Sequence, residues 1–220
     1  MPRLSASRRP GGHGLRSEKR RVSGRSLALV LPHAAGKLPA VGQTAYTALE
    51  QIGGVGEGET LLVLAAAGGV GTVAVQIARL RGATVIGTAS EGNHDYLRSL
   101  GAVPVAYDGP GPVDRVRALA PGGVDAALDA VGGDATAVSP ALVADRQRIG
   151  TTVDAAAAEA HGFLRAGGRT TPGLRQLAQW CGTGAVVLPS VTGYPLDQVA
   201  AAHRHVGTGH TRGEVVLRVG

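Results

Sequence analysis

The stretch LLVLAAAGGVGTVAVQIARLRGATVIGTAS, residues 61–90, constrains the fold of this chain more than any other part of it. It has no charged residue before Arg79, and three glycines lie near its middle, Gly68, Gly69 and Gly71. A membrane-spanning helix needs roughly 20 apolar residues in one helical run. Glycines at the centre of such a run weaken the helix, and here they also separate two different apolar patterns. We therefore interpret this stretch as part of a globular fold and not as a membrane span.

The two patterns on either side of the glycines indicate a strand–helix–strand unit. LLVLAA, residues 61–66, is a short continuous apolar run, typical of a strand buried on both faces of a parallel sheet. The segment ATVIGTA, residues 83–89, is apolar and β-branched again. Between them, apolar residues recur at the spacing of one helical face: Val70, Val73, Ala74 and Ile77. The sequence therefore predicts a βαβ unit with a glycine-rich turn before its helix.

A glycine-rich turn in this position has a chemical consequence. The backbone N–H groups of a first helical turn have no partner within the helix, and they carry the positive end of the helix dipole. Such a turn can hold a pyrophosphate at close approach. No Lys-Ser or Lys-Thr pair follows, so the turn is not the phosphate loop of an ATPase. The spacing Ala65-x-x-Gly68-Gly69-Val70-Gly71 departs from G-x-G-x-x-G, and taken alone it fits a purely structural tight turn equally well.

Strand-like and helix-like segments keep alternating along the chain. The strand-like segments are VPVAY (103–107), VDAALDAVGG (124–133) and RIGTTV (148–153), and the helical ones are 113–120 and the regions around 172–182 and 195–205. This rhythm predicts an α/β fold with a doubly wound parallel sheet, which binds ligands beyond the carboxyl ends of its strands. Small or polar residues follow the predicted strands: Ser90, Tyr107 and the turn Val131–Gly133.

The charge of the chain is concentrated in its first residues. The chain has 220 residues and a formal net charge of +6, and residues 1–25 hold eight basic side chains against one acid. The rest is close to neutral, so no basic nucleic-acid surface is expected outside this segment. We assign residues 1–36 to a disordered basic leader and an irregular lead-in. The irregular segment is SLALVLPHAAGKLPA (26–40), which is apolar but interrupted by Pro32, Gly36 and Pro39. The Arg- and Ser-rich composition of the leader also faintly resembles a transit peptide. The single cysteine, Cys181, indicates a reducing, cytoplasmic environment.

Several segments together resemble the medium-chain dehydrogenase/reductase superfamily. They are GQTAYTALEQIG (42–53), AAAGGVGTVAVQIA (65–78), LRSLGAVPVAY (97–107), GGVDAALDAVGG (122–133) and GHTRGEVVLRV (209–219). Within that superfamily the chain is most similar to the zinc-independent quinone oxidoreductases and enoyl reductases. The resemblance implies a nicotinamide cofactor, NADPH more often than NADH, no zinc, and hydride transfer to a quinone or an activated C=C bond. It also implies a homodimer joined at sheet edges, with Phe163 and Leu164 near the seam.

The resemblance divides the chain into three parts. Residues 37–183 correspond to the dinucleotide-binding Rossmann domain, and residues 184–220 to the returning segment of a GroES-like catalytic half. Members of the superfamily carry most of that half before the segment that begins here near residue 37. We therefore expect the chain to bind NADPH but to reduce quinones slowly, and we predict no particular catalytic residue.

The resemblance and the strand ends together predict the cofactor-binding residues. The pyrophosphate is expected on Gly69–Gly71 and the nicotinamide beside Thr44 and Tyr46. The loop that carries Arg212 is also expected to approach the cofactor. The full predicted set is Thr44, Ala67, Gly68, Gly69, Val70, Gly71, Ser90, Asn93, Tyr107, Val131, Gly132 and Arg212. Related proteins often have lysine where this chain has Glu214.

The choice between NADPH and NADH depends on the end of the second strand. An NAD-specific site places an acid there to accept the ribose hydroxyls. This chain has Ser90, followed by Asn93 and His94, which suits a 2′-phosphate better than a carboxylate would. Glu91 could repel that phosphate, and no Lys or Arg stands next to Asn93 in the sequence. We expect NADPH to be preferred.

Each candidate residue also has a structural interpretation. Thr44 and Tyr46 could mark a helix start with a packed aromatic ring, Tyr107 could simply close a strand, and Arg212 could be a solvated loop charge. For three further residues we favour the structural interpretation: Asp129 held by backbone N–H groups, and Cys181 and His203 within apolar helix faces.

Three functions remain open at this point. The first is an NADPH-dependent reductase of quinones or enones. The second is a cofactor-binding protein with little or no catalysis, and the third is nucleic-acid or partner binding through the basic leader.

Overall fold

The computed structural model of the chain describes residues 37–109 and 111–218. The predicted leader, residues 1–36, and with it most of the predicted lead-in, lies outside the described residues. Within the described residues no helix is long and apolar enough to cross a membrane.

Six parallel strands form the central sheet, in the spatial order β3-β2-β1-β4-β5-β6. Their bounds are β1 Thr60–Leu64, β2 Thr84–Ala89, β3 Val103–Ala106, β4 Ala126–Asp129, β5 Ile149–Thr151 and β6 Leu164–Arg165. The order reverses between β1 and β4, which is the arrangement of a doubly wound sheet. The predicted α/β Rossmann-like fold is confirmed.

Helices cover both faces of this sheet. The α-helices are α1 Gln43–Gln51, α2 Gly69–Leu80, α3 His94–Ser99, α4 Pro112–Leu119, α5 Ala155–His161, α6 Thr171–Gly182 and α7 Val199–Gly207. Short 3₁₀ segments lie at Glu91–Asn93, Gly133–Ala141, Arg146–Arg148 and Leu196–Gln198. Alternate residues of β1 enter two separate cores, Leu61 and Val63 on one face, Leu62 and Leu64 on the other. This accounts for the continuous apolar run in the sequence, because both sides of the strand are buried.

The predicted βαβ unit is confirmed, with the helix beginning at Gly69 and the second strand at Thr84. The expectation of an irregular lead-in is wrong for its described part. Residues Leu38–Gly42 form one turn of π-helix that runs directly into α1. Pro39 does not break this turn, because it lies in the first helical positions, where a backbone N–H would have no helical partner.

A second, two-stranded parallel sheet is formed by β7 (Val191–Pro195) and β8 (Glu214–Arg218). It lies against the glycine-rich turn, because the N–H of Gly213 donates to the carbonyl oxygen of Ala67 at 3.0 Å and Gly213 pairs with Gly68 as an isolated bridge. The returning segment therefore reaches the start of α2.

The interpretation of His203 as a core residue is wrong. His203 is exposed, and so are Leu196 and Val199 on the same apolar stripe. The face of α7 that is turned inward carries the buried Ala202 and the half-buried His205, whose Nδ1 lies 3.1 Å from the hydroxyl of Tyr194. Helical periodicity identifies a stripe but not whether another element covers it.

Cys181 lies at the border of the core. It is half-buried and packs against the larger of the two cores, as its position on α6 predicts. Burial raises the pKa of the Cys181 thiol above its ordinary value, so the protonated form is favoured further.

Candidate functional site

The turn between β1 and α2 is built around a close approach of helix and strand. Ala65 has a φ of +57°, in the left-handed region that residues with a side chain rarely adopt. A Cβ atom on Gly71 would lie 2.4 Å from the carbonyl oxygen of Ala65 and 2.6 Å from the Cα of Ala66. Only glycine fits at position 71, so this glycine serves the packing of α2 on the turn.

The first residues of α2 face outward. Gly68, Gly69 and Val70 are half-buried, whereas residues 71–78 are buried. The first turn contains no acidic residue, and no side chain caps it. Its free N–H groups and the helix dipole therefore favour an anion at this point.

A cavity of about 650 Å³ opens beside this turn, beyond the carboxyl ends of the strands. This volume is within the range of small-molecule and cofactor sites. It is lined by residues that follow β1, β2, β3 and β4 and by the loop before β8: Leu64, Ala65, Ala67, Gly68, Thr88, Ala89, Ser90, Asn93, Tyr107, Pro112, Val131, Asp134, Ala135, Val138, Thr208, Gly209, His210 and Thr211. The cavity thus lies where a doubly wound sheet binds its ligands.

Arg212 completes a polar cluster at the end of β2. Its Nε donates to Oδ1 of Asn93 at 2.8 Å, and one of its Nη atoms donates to the carbonyl oxygen of Gly92 at 3.2 Å. The amide of Asn93 in turn donates to Oγ of Ser90 at 3.2 Å. The guanidinium also lies 4.9 Å from the ring centre of Tyr96, close enough for a cation–π contact. A positive charge therefore lies beside the Ser90–Asn93 turn.

The end of β4 is held by a fully buried carboxylate. Asp129 accepts hydrogen bonds from the N–H groups of Val131 and Gly132, both at 2.9 Å. Its other oxygen accepts from the hydroxyls of Thr136 and Thr151 at 3.2 and 2.8 Å. All four of these hydrogen-bond partners donate to the carboxylate, so the structural interpretation of Asp129 is confirmed.

Six of the twelve predicted cofactor residues line the cavity directly: Ala67, Gly68, Ser90, Asn93, Tyr107 and Val131. Gly69, Val70, Gly71 and Gly132 belong to the turns at its edge, and Arg212 reaches it through Asn93. Tyr107 is 43% exposed, with its ring centre 6.4 Å from that of His210, so its side chain is open to the cavity.

Thr44 and Tyr46 lie apart from this cavity. The Thr44 hydroxyl donates to the carbonyl oxygen of Ala40 at 3.0 Å, within the helical lead-in. The Tyr46 ring lies 6.1 Å from that of Trp180, and the Arg81 guanidinium lies 5.6 Å from its centre. These contacts favour the structural interpretation of both residues in the described part of the chain.

Sequence reasoning missed two contributors from the C-terminal segment. Residues 208–211 line the cavity, and the Glu214 side chain contacts the first residue of α2. All of these residues except Thr208 lie in the segment GHTRGEVVLRV (209–219), so the signal that could have found them was the family resemblance and not any local pattern.

Comparison with known proteins agrees with this geometry. Residues 100–217 match a family model described as zinc-binding dehydrogenase. The synaptic vesicle membrane protein VAT-1 homolog of Homo sapiens is 42% identical over 96 residues, which cover 43% of this chain and 24% of that protein. Prostaglandin reductase-3 of Bos taurus is 38% identical over 110 residues, covering 49% of this chain and 29% of the relative.

A solved structure matches over most of the described fold. The quinone oxidoreductase from Coxiella burnetii superposes with a TM-score of 0.73 at 30% identity, covering 89% of this chain and 63% of that one. This match spans less than two thirds of the solved chain. The matches to the VAT-1 homolog and to prostaglandin reductase-3 span about a quarter of the length of each relative.

Proposed function

This chain belongs to the zinc-binding dehydrogenase family of the medium-chain dehydrogenase/reductase superfamily, and from that premise we propose that it is an NADPH-dependent oxidoreductase of quinones or enones. The observation that carries the proposal is the uncapped N-terminus of α2, which opens beside a cavity of about 650 Å³ at the carboxyl ends of the strands. A dinucleotide needs both features, a place for its pyrophosphate and a crevice for its two halves.

The residues present fit this cofactor. Gly68 and Gly69 are half-buried and carry no side chain, so a pyrophosphate can approach the N–H groups of Gly69–Gly71. Ser90 and Asn93 lie at the end of β2, where the adenosine ribose of a dinucleotide is held. Tyr107 offers an exposed ring for the adenine side, and the turn Val131–Gly132 lies at the opposite end, after β4.

Preference for NADPH is supported by Arg212. The local sequence around Asn93 contains no cation that could pair with a 2′-phosphate, but the fold brings one from 119 residues away. A guanidinium hydrogen-bonded to Asn93 provides a charged donor where that phosphate would lie. Glu91, the nearby acid, is exposed.

The bound cofactor would supply the chemistry, a hydride transferred from its nicotinamide to the acceptor. The residues of this chain bind and orient: the start of α2 fixes the phosphates, and the turn after β4 positions the reactive end. The turn after β4 is rigid, because the N–H groups of Val131 and Gly132 donate to the carboxylate of Asp129. This chemistry requires no nucleophile from the protein.

We propose that the reaction also proceeds without zinc. Residues 37–109 and 111–218 contain no group of three or more His, Cys, Asp or Glu side chains that could hold a metal ion. The described donor set therefore does not fit zinc, and no step of the proposed reaction passes through a metal.

We further propose the remaining assignments that the resemblance implies. Residues 37–183 act as the dinucleotide-binding unit and residues 184–220 as the returning segment that contributes Arg212. The protein functions as a cytoplasmic homodimer, in keeping with its single cysteine and with the free edge of β6.

Oxidation of NADPH in the presence of a simple quinone tests the proposed reaction. Turnover that depends on both NADPH and the quinone supports a reductase, and we expect a rate below the typical enzymatic value of about 10 per second. Val131, in the turn proposed to position the nicotinamide, is 52% exposed, so the reactive end of the cofactor would remain open to water. Saturable NADPH binding without any quinone-dependent oxidation would contradict reductase activity and leave a cofactor-binding role.

A further inference from the structure

Glu214 occupies an unusual position for an acidic residue. It is the first residue of β8, and its N–H donates to the carbonyl oxygen of Ser190 at 2.9 Å. The residue before it, Gly213, donates its N–H to the carbonyl oxygen of Ala67 at 3.0 Å. The backbone is therefore fixed on both sides, and Glu214 is held beside the turn that begins α2.

The side chain of Glu214 lies on the first residue of that helix. A Cβ atom built on Gly69 would be 2.9 Å from Cγ of Glu214 and 3.6 Å from its carboxyl carbon. The Oε2 atom is buried and has no hydrogen-bond partner among residues 37–109 and 111–218. The carboxyl group thus lies at the proposed pyrophosphate site, yet it does not cap the helix.

One charged group of the described residues faces this carboxyl. Lys37 attracts it, while the Lys37 ammonium itself donates to the carbonyl oxygen of Pro189 at 2.8 Å. Gly69 and the backbone of Ser190, which also lie against Glu214, carry no group that titrates. Burial raises the pKa of Glu214, and the attraction of Lys37 opposes this only in part.

We propose that Glu214 binds a proton whenever a pyrophosphate occupies the N-terminus of α2, so that this residue makes cofactor binding proton-linked. The inference rests on the proposed function and adds a regulating residue to the same site. An ionised carboxylate at this position would repel the phosphates across a poorly solvated gap. The protonated group is neutral and can donate a hydrogen bond to a phosphate oxygen.

The sign of the pH dependence follows from proton linkage. The complex holds one more proton than the free protein wherever the free Glu214 is ionised. Affinity is therefore highest at low pH and falls by up to about tenfold per pH unit once the pH exceeds the pKa of Glu214 in the free protein. Because that pKa is raised, the fall begins above the ordinary range of a glutamate.

The test measures binding of ADP-ribose by calorimetry between about pH 5.5 and 8.5. ADP-ribose carries the pyrophosphate but lacks a 2′-phosphate, whose own proton would titrate near pH 6. The variants are Glu214→Gln, which cannot ionise, and Glu159→Gln as a matched control, because Glu159 is exposed on α5. Titration in two buffers of different ionisation enthalpy also counts the protons taken up.

We expect wild type and Glu159→Gln to lose affinity as the pH rises and to take up a proton on binding. Glu214→Gln should bind with a constant affinity, tighter than that of wild type at the upper end of the pH range, and take up none. A wild-type pH slope that persists in Glu214→Gln would overturn the inference and leave the proposed function standing. No ADP-ribose binding by any variant at any pH would overturn both.

Discussion

Arg212 illustrates how a single side chain from the end of the chain completes a cluster that begins at the end of β2. Its guanidinium donates hydrogen bonds to the side chain of Asn93 and to the carbonyl oxygen of Gly92. Sequence separation hides this contact, since a pattern within a few residues cannot place a guanidinium against a turn 119 positions earlier. A residue of this kind is identified by the fold or by family resemblance.

Substitution Arg212→Ala should therefore weaken NADPH more than NADH. Hydrogen bonds to a charged partner contribute about 1.5–3 kcal/mol, and we expect a loss of roughly 10- to 100-fold in NADPH affinity. NADH has no 2′-phosphate, so its affinity should change by no more than about twofold. Equilibrium titration with both cofactors measures the ratio, and Arg218→Ala, an exposed arginine later in the same segment, serves as control. Equal losses for the two cofactors would show that Arg212 does not read the phosphate.

Among the elements, the end of β4 depends most on one residue. Asp129 joins the strand end to the turn after it through Val131 and Gly132, and joins β4 to β5 through Thr151. It is fully buried, and so are the two threonines, Thr136 and Thr151, whose hydroxyls donate to it. The position of the turn beside the cavity is thus fixed by this carboxylate.

Replacement Asp129→Ala should lower the free energy of unfolding by about 3–5 kcal/mol, because it removes the acceptor of the two buried threonine hydroxyls and of the N–H groups of Val131 and Gly132. Chemical denaturation measures this change. Asp134→Ala removes an exposed carboxylate from the same turn and should change stability by less than about 0.5 kcal/mol. A loss below about 1 kcal/mol for Asp129→Ala would mean that the turn is held by other contacts.

Helices and strands were predictable where burial determines which residue types the sequence contains. The runs that form β1 and β2 are apolar because helices cover both faces of the sheet. Gly71, in the first turn of α2, is a glycine because the turn before the helix leaves no room for its side chain. Prediction from the sequence failed where one sequence pattern is compatible with two structural environments. The stripe of α7 that includes His203 is apolar but exposed, and Pro39 fits the first turn of a helix as well as it fits a loop.

Among the described strands, the short β6 lies at one end of the sheet, and its outer edge pairs with none of them. β6 pairs with β5 on one side, and the N–H of Ala166 donates to Thr151 across that pair at 2.9 Å. Because N–H groups alternate between the two edges of a strand, that of Arg165 faces away from β5. An unpaired edge of this kind can join a second copy of the chain. Phe163, predicted at the seam, is itself buried in the core, whereas Leu164 is half-buried.

We predict a homodimer in solution with twice the 22.1 kDa mass of one chain. Arg165→Pro removes the outward N–H and should give a monomer by light scattering, whereas Arg165→Ala keeps that N–H and should remain dimeric. Thermal melting checks that both variants are folded. A wild-type chain that stays monomeric at high concentration would rule out this assembly.

The central claim is that a nicotinamide dinucleotide binds with its pyrophosphate on Gly69–Gly71. A fluorescence titration of NADPH with wild type, Gly69→Asp and Gly122→Asp tests it most directly. An aspartate at position 69 places a side chain and a negative charge where the phosphates would lie, whereas position 122 is exposed with open space around it. We expect saturable binding of one NADPH per chain by wild type and Gly122→Asp, and at least about 100-fold weaker binding by a folded Gly69→Asp. Unchanged affinity in a folded Gly69→Asp, or no saturable binding by wild type, would contradict the central claim.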